Sequence, residues 1–148
     1  MASVFVGILA FFSASLVGMW LKKRAITKWK FYRAYSEYLL FAEEKISSER
    51  MPRAEIDAAF QADSKEFLSL LKGEDPSISL KDEEILSVKE YLASIGKSDA
   101  EAQLASLRGK CAEIKKLLDR DGEKWRKDAS LYFKLSVLVG VALFIILV

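Results

Sequence analysis

The chain has 148 residues, with 23 Lys+Arg set against 21 Asp+Glu, no histidine and a single cysteine. The missing histidine removes the commonest general base, the commonest metal ligand and every Ser-His or Cys-His nucleophile pair. One cysteine, Cys111, excludes an internal disulfide and a thiolate metal cluster, and a net charge of +2 implies no nucleic-acid partner.

All of the charge lies between two uncharged hydrophobic ends, residues 1–21 and 135–148. The first run, from Ala2 to Leu21, reaches ~30 Å as a helix, the thickness of a bilayer core. Trp20 marks its edge, where an amphipathic ring favours the headgroup boundary. Lys22, Lys23 and Arg24 follow at once, and no charge precedes the run. A secretory signal has the reverse order, so the segment is expected to be a retained anchor. The second run is shorter. Counted from Leu131 it reaches about 27 Å, with Lys134 close enough to the edge to snorkel. It is expected to be a tail anchor that nearly or fully spans.

The flanks agree on direction. Lys22, Lys23, Arg24, Lys28 and Lys30 lie after the first run, and Lys124, Arg126, Lys127 and Lys134 lie around the start of the second. Positive residues near span ends stay cytoplasmic. The expected organisation is a transmembrane helix at 1–21, a cytoplasmic helical bundle at 22–130 and a second transmembrane helix at 131–148, with both termini outside. The middle suffices for one small core.

That middle is helical by periodicity and shows no strand-like alternation. The first helix is expected to run on from the anchor to about Ser48, with Trp29, Tyr32, Tyr35, Leu39, Ala42 and Ile46 on one apolar face. Its aromatics Trp29, Phe31, Tyr32, Tyr35 and Tyr38 read as core and not as a ligand box. Residues 47–51 form a turn, and Pro52 suits the first position of the next helix. Ile56, Phe60, Asp63, Phe67 and Leu71 continue at helical steps, giving one helix or a pair that ends near Gly73. Residues 73–77 are a loop. Ser79 is placed to cap a helix that carries Ile85, Val88, Leu92 and Ile95. Gly96 suits its left-handed end. Ser98-Asp99-Ala100-Glu101 reads as a capping box with Ser98 as the cap. The last helix has Leu104, Leu107, Cys111, Ile114 and Leu118 in a heptad seam, and bundle packing is favoured over an oligomer zipper. The fold class is therefore all-α, an antiparallel bundle carried between two transmembrane helices.

Local chemistry is sparse. Ile95-Gly96-Lys97-Ser98 is like the end of a phosphate-binding loop, but Tyr91 stands where that loop needs glycine and no strand precedes it. The adjacent pairs Glu43/Glu44 and Glu83/Glu84 point about 100° apart on a helix, which suits solvated faces better than an acid–base dyad. Cys111 reads as a small core residue. No catalytic residue, metal site or cofactor site is expected. The basic clusters at the boundaries could also hold anionic lipid headgroups.

The order of features resembles the stage III sporulation protein AB family, itself similar to the inner-membrane platform proteins of type II secretion and type IV pilus systems. The matching residues are Leu16-Val17-Gly18 with Lys22-Lys23-Arg24, then Glu44-Lys45-Ile46 followed by Met51-Pro52-Arg53-Ala54-Glu55-Ile56. The most specific is the Gly-x-x-Asp-x-x-x-Gln turn, here Gly96, Asp99 and Gln103 with Lys97 inside it. The glycine-containing apolar tail from Leu135 to Val148 completes the order, with Ser136 where the family pattern has glycine.

The resemblance implies a non-enzymatic membrane protein at the mother-cell side of the forespore envelope. Its helical domain would dock a partner ATPase and couple it to other channel subunits. The corner of Gly96, Lys97, Asp99 and Gln103 is the expected contact. One alternative is a pore-forming or membrane-remodelling hairpin that oligomerises through Gly7, Gly18 and Gly140. Another is an enzyme working through carboxylates or Cys111.

Overall fold

The computed structural model describes residues 2–76 and 80–147. All regular structure among them is helical: α1 (Ala2–Glu49), α2 (Arg53–Ala59), α3 (Lys65–Leu71), α4 (Asp82–Ser94), α5 (Ala100–Leu117) and α6 (Glu123–Leu147). A π-helical turn, Leu118–Gly122, joins α5 to α6. The chain divides into two compact units, one of Met1–Thr27 with Gly122–Val148 and one of Lys28–Asp121.

The first unit is a pair of apolar helical segments. Two helices are long and apolar enough to cross a membrane, and the most apolar 18-residue stretch of each is only 11% and 6% buried. A core helix of a water-soluble domain would hide that surface. Phe5, Leu9, Phe12, Leu16, Leu138, Ile145 and Ile146 instead face outward. These segments mark the chain as membrane-associated. They pack antiparallel through small residues. A Cβ built on Gly18 would lie 1.6 Å from Ser136 Oγ, and one on Gly140 would lie 2.9 Å from the Phe11 ring. Ser136 folds its hydroxyl back onto the Tyr132 and Phe133 carbonyls at 2.8 and 2.9 Å. The serine therefore fits against α1 because glycine stands opposite.

The second unit is an α-helical bundle whose central member is the inner half of α1. Its buried face is wider than one stripe. Phe31 and Tyr38 are as fully buried as Tyr35 and Leu39. The reason is that α1 has partners on several sides. Phe67 of α3 meets the rings of Phe31, Tyr35 and Tyr38, with centroids 5.6–5.7 Å apart. Phe60, just past α2, packs on Tyr38 and Phe41. On α4, Glu84 receives Lys28 and Tyr32, each at 3.3 Å. On α5, Arg108 reaches Glu43 at 2.6 Å.

Residues 53–71, expected as one helix or a pair, are the pair, because Ser64 accepts the Phe67 N–H at 3.3 Å and starts α3 anew. Several ends differ from the sequence expectation. Pro52 is the cap of α2, one position earlier than its first turn. The cap of α5 is Asp99, not Ser98; its carboxylate accepts the Ala102 N–H at 3.4 Å. Ser79 lies outside the described residues. The start of α4 is closed by Glu84, whose carboxylate accepts the Lys81 N–H at 3.2 Å. The heptad seam is spent inside the bundle, where Leu107, Cys111 and Ile114 are buried.

Candidate functional site

The corner between α4 and α5 is built by two residues with special local roles. Gly96 has φ +93°, a left-handed conformation that a side chain would strain. Asp99 then caps α5 by taking an orphan N–H of its first turn. The chain thus leaves α4 at Ile95, turns through four exposed residues and re-enters a helix at Ala100.

Across from this corner lies the turn that ends α1. Arg50 has φ +48°, and the Met51 N–H returns to the Lys45 carbonyl at 3.3 Å. The two turns enclose an open groove of about 650 Å³ lined by residues from 46–53 and 93–103. Gly96, Lys97 and Gln103 all line it. Gly96, Lys97 and Asp99 are exposed, whereas Gln103 is buried, at 7% exposure. The expected corner is therefore brought together, but Gln103 forms its inner wall and offers little surface. The floor is apolar, with Ile46, Met51 and Ile95 among its residues.

The side of the groove at Arg53 is tied to the core. Arg53 pairs with Asp57 at 3.3 Å, and Asp57 also accepts the Tyr38 hydroxyl. Burial pushes the Tyr38 phenol above its ordinary value of 10.0, and the Asp57 carboxylate adds to that. A second polar cluster holds α4 to α1. Burial alone would raise the Glu84 carboxyl, but the Lys81 N–H, Lys28 and Tyr32 together bring it below its ordinary 4.5. Glu84 is thus a structural tie, not part of a solvated face. Among the described residues no three His, Cys, Asp or Glu are grouped to hold a metal ion.

The boundary residues Lys22, Lys23, Arg24 and Lys134 are exposed. Lys22 lies over the Phe133 ring at 5.2 Å, and Arg24 lies over Trp20 at 5.5 Å. Such cation–π contacts suit the interfacial region, where an aromatic ring and a charge share one depth.

A family profile described as stage III sporulation protein AB matches residues 65–148, more than half of the chain. The chain belongs to that family. No curated protein and no solved structure matches it. The match takes in α3 through α6, including the Gly96 corner; the segment 46–53 precedes it. In this family member the corner thus meets a turn that the sequence marked as part of the family pattern and as a helix break, but not as a contact surface. Arg50 and Arg53 escaped notice as site residues because nothing in their local pattern separates them from ordinary turn charges. Only the fold, by bringing 46–53 against 93–103, gives them a shared surface. Gly18 and Gly140, through which a self-assembling hairpin would join copies, are occupied by packing within the chain.

Proposed function

We propose that this sporulation protein is a non-enzymatic membrane platform subunit. Its helical domain, on the cytoplasmic side, docks a partner ATPase and links it to further membrane subunits of a channel complex. The observation that carries this reading is the groove at the Gly96 corner. It is an exposed, partly apolar surface built on helix ends, and its 93–103 wall carries the Gly-x-x-Asp-x-x-x-Gln turn of the resemblance and lies within the residues the family profile matches. The apolar floor gives a partner something to bury, and the fixed caps hold the surface in place. Helix α1 runs unbroken from Ala2 to Glu49, so one backbone carries both apolar membrane residues and bundle core. That continuity suits a part that passes displacement from a soluble motor to the membrane. Anionic lipid headgroups are the second partner class, met by Lys22, Lys23, Arg24 and Lys134.

The test is recovery of partners with the detergent-solubilised full-length protein from sporulating cells, identified by mass spectrometry. A soluble ATPase together with other membrane subunits is the expected result. Recovery of the protein only as a stable oligomer of itself sinks the reading and favours the self-assembling hairpin.

A further inference from the structure

We infer that the groove between the α1–α2 turn and the α4–α5 corner receives an acidic, amphipathic segment of the docked partner. This deepens the platform reading and rests on it for the partner's identity. The argument is one of charge. The unit Lys28–Asp121 holds 16 basic and 19 acidic residues, an excess of negative charge. Yet every charged residue lining the groove is basic: Arg50, Arg53 and Lys97. The acids close by in sequence stay out of the groove lining: Glu49 pairs with Lys45, and Glu55 and Glu101 are exposed outside it. Asp57 is held by Arg53 and Tyr38, and Asp99 is turned to the Ala102 N–H.

Arg53 is neutralised by its partner, whereas Arg50 and Lys97 are exposed and form no ion pair among the described residues. They stand on opposite walls, one from each turn, with Ile46, Met51 and Ile95 in the floor between. A helix or extended strand with apolar side chains on one face and carboxylates flanking them matches that arrangement. The apolar groups would supply burial, and the carboxylates would set orientation and exclude basic partners.

The probes are two helical peptides with leucines at i, i+3 and i+7, flanked either by glutamates or by lysines. Each is titrated against the full chain in detergent or nanodiscs. The glutamate peptide is expected to bind and the lysine peptide is not. The double variant R50E/K97E should weaken the glutamate peptide on the order of tenfold. Lys115→Glu, exposed on α5 and away from the groove, should leave it unchanged. Ala93→Trp, which fills the exposed wall of the groove, should block binding without altering charge. Circular dichroism confirms that each variant keeps its helices.

Equal binding of the two peptides overturns the proposal, as does binding of the glutamate peptide that ignores both R50E/K97E and Ala93→Trp. If R50E/K97E changes only self-association in sedimentation, the groove is a contact between copies and the proposal falls. The same double variant in the partner recovery separates the two readings. If it recovers the ATPase as well as the native chain does, the groove assignment fails and the platform stands. If the native chain recovers no ATPase but prefers the acidic peptide, the platform fails and the groove stands.

Discussion

Gly96 and Asp99 carry the corner on which the candidate site rests, and each acts through the backbone. Replacing Gly96 by alanine forces a Cβ into the left-handed region at φ +93°, where the space is open but the conformation is costly. Gly96→Ala should lower the unfolding free energy by about 1–2 kcal/mol, read by denaturant titration. Asp99→Ala should lose about 1 kcal/mol by leaving the α5 donors uncapped, whereas Ser98→Ala should change little. Equal losses at 98 and 99 would restore the serine as cap. Tyr35 makes the opposite case. Its ring is fully buried, and its hydroxyl meets no partner among the described residues. Burial pushes its phenol above 10.0, as it does for Tyr32 and Tyr38. A raised folded value means that the stabilising neutral form is fully present below pH 10.0 and is lost as pH climbs through the folded value. The bundle should therefore lose stability above pH 10, and Tyr35→Phe should blunt that loss. The same substitution should raise stability by about 1 kcal/mol near neutrality by removing an unpaired buried hydroxyl. A steeper alkaline loss in Tyr35→Phe would contradict this.

At the scale of elements, the helices and their order were legible because their signals are local. Charge-free ends, the left-handed glycine and the steps of Val88, Leu92 and Ile95 each depend on neighbours within a few residues. What was not legible depends on packing. How Phe31 and Tyr38 are enclosed is one case: as aromatics they read as core, but they lie off the single stripe drawn on α1, because periodicity reports one face while α1 is enclosed by α2–α3, α4 and α5. Glu84 read as solvated because its partners Lys28 and Tyr32 are more than fifty positions away. Ser136 is the plainest example. Alone it departs from the family pattern, and only the juxtaposition with Gly18 shows how it is accommodated. That pairing predicts a reciprocal rescue. Gly18→Ala places a methyl 1.6 Å from Ser136 Oγ and 2.6 Å from its Cβ, and should destabilise the helix pair by about 1–3 kcal/mol. Adding Ser136→Gly removes both atoms and leaves the Tyr132 carbonyl, at 3.4 Å, as the next neighbour. The double variant should recover most of the lost stability in thermal unfolding of the detergent-solubilised chain. If Ser136→Gly gives no recovery, the two helices do not meet at this pair.

For the whole molecule, the decisive property is which side of the membrane each part occupies, since a partner from the cytoplasm can reach the groove only if the bundle faces that side. Every charged residue lies between Lys22 and Lys134, and the basic residues near the apolar runs stand on their inner sides. The positive-inside rule predicts that both flanks are cytoplasmic and that residues at the far ends of the two apolar runs are outside. Cys111 makes the experiment clean. It is the single thiol and is buried, so a Cys111→Ala background removes a small core side chain and leaves no competing label. In that background Ser3→Cys should react with a membrane-impermeant maleimide on intact cells. Lys97→Cys, at the exposed corner, should react only after the membrane is opened. The reverse pattern would place the groove outside and end the ATPase reading, because no nucleotide-driven partner would share its compartment. Labelling at both sites on intact cells would mean that the first apolar run does not cross. The charge asymmetry would then serve surface attachment, with Lys22, Lys23 and Arg24 as the headgroup contacts.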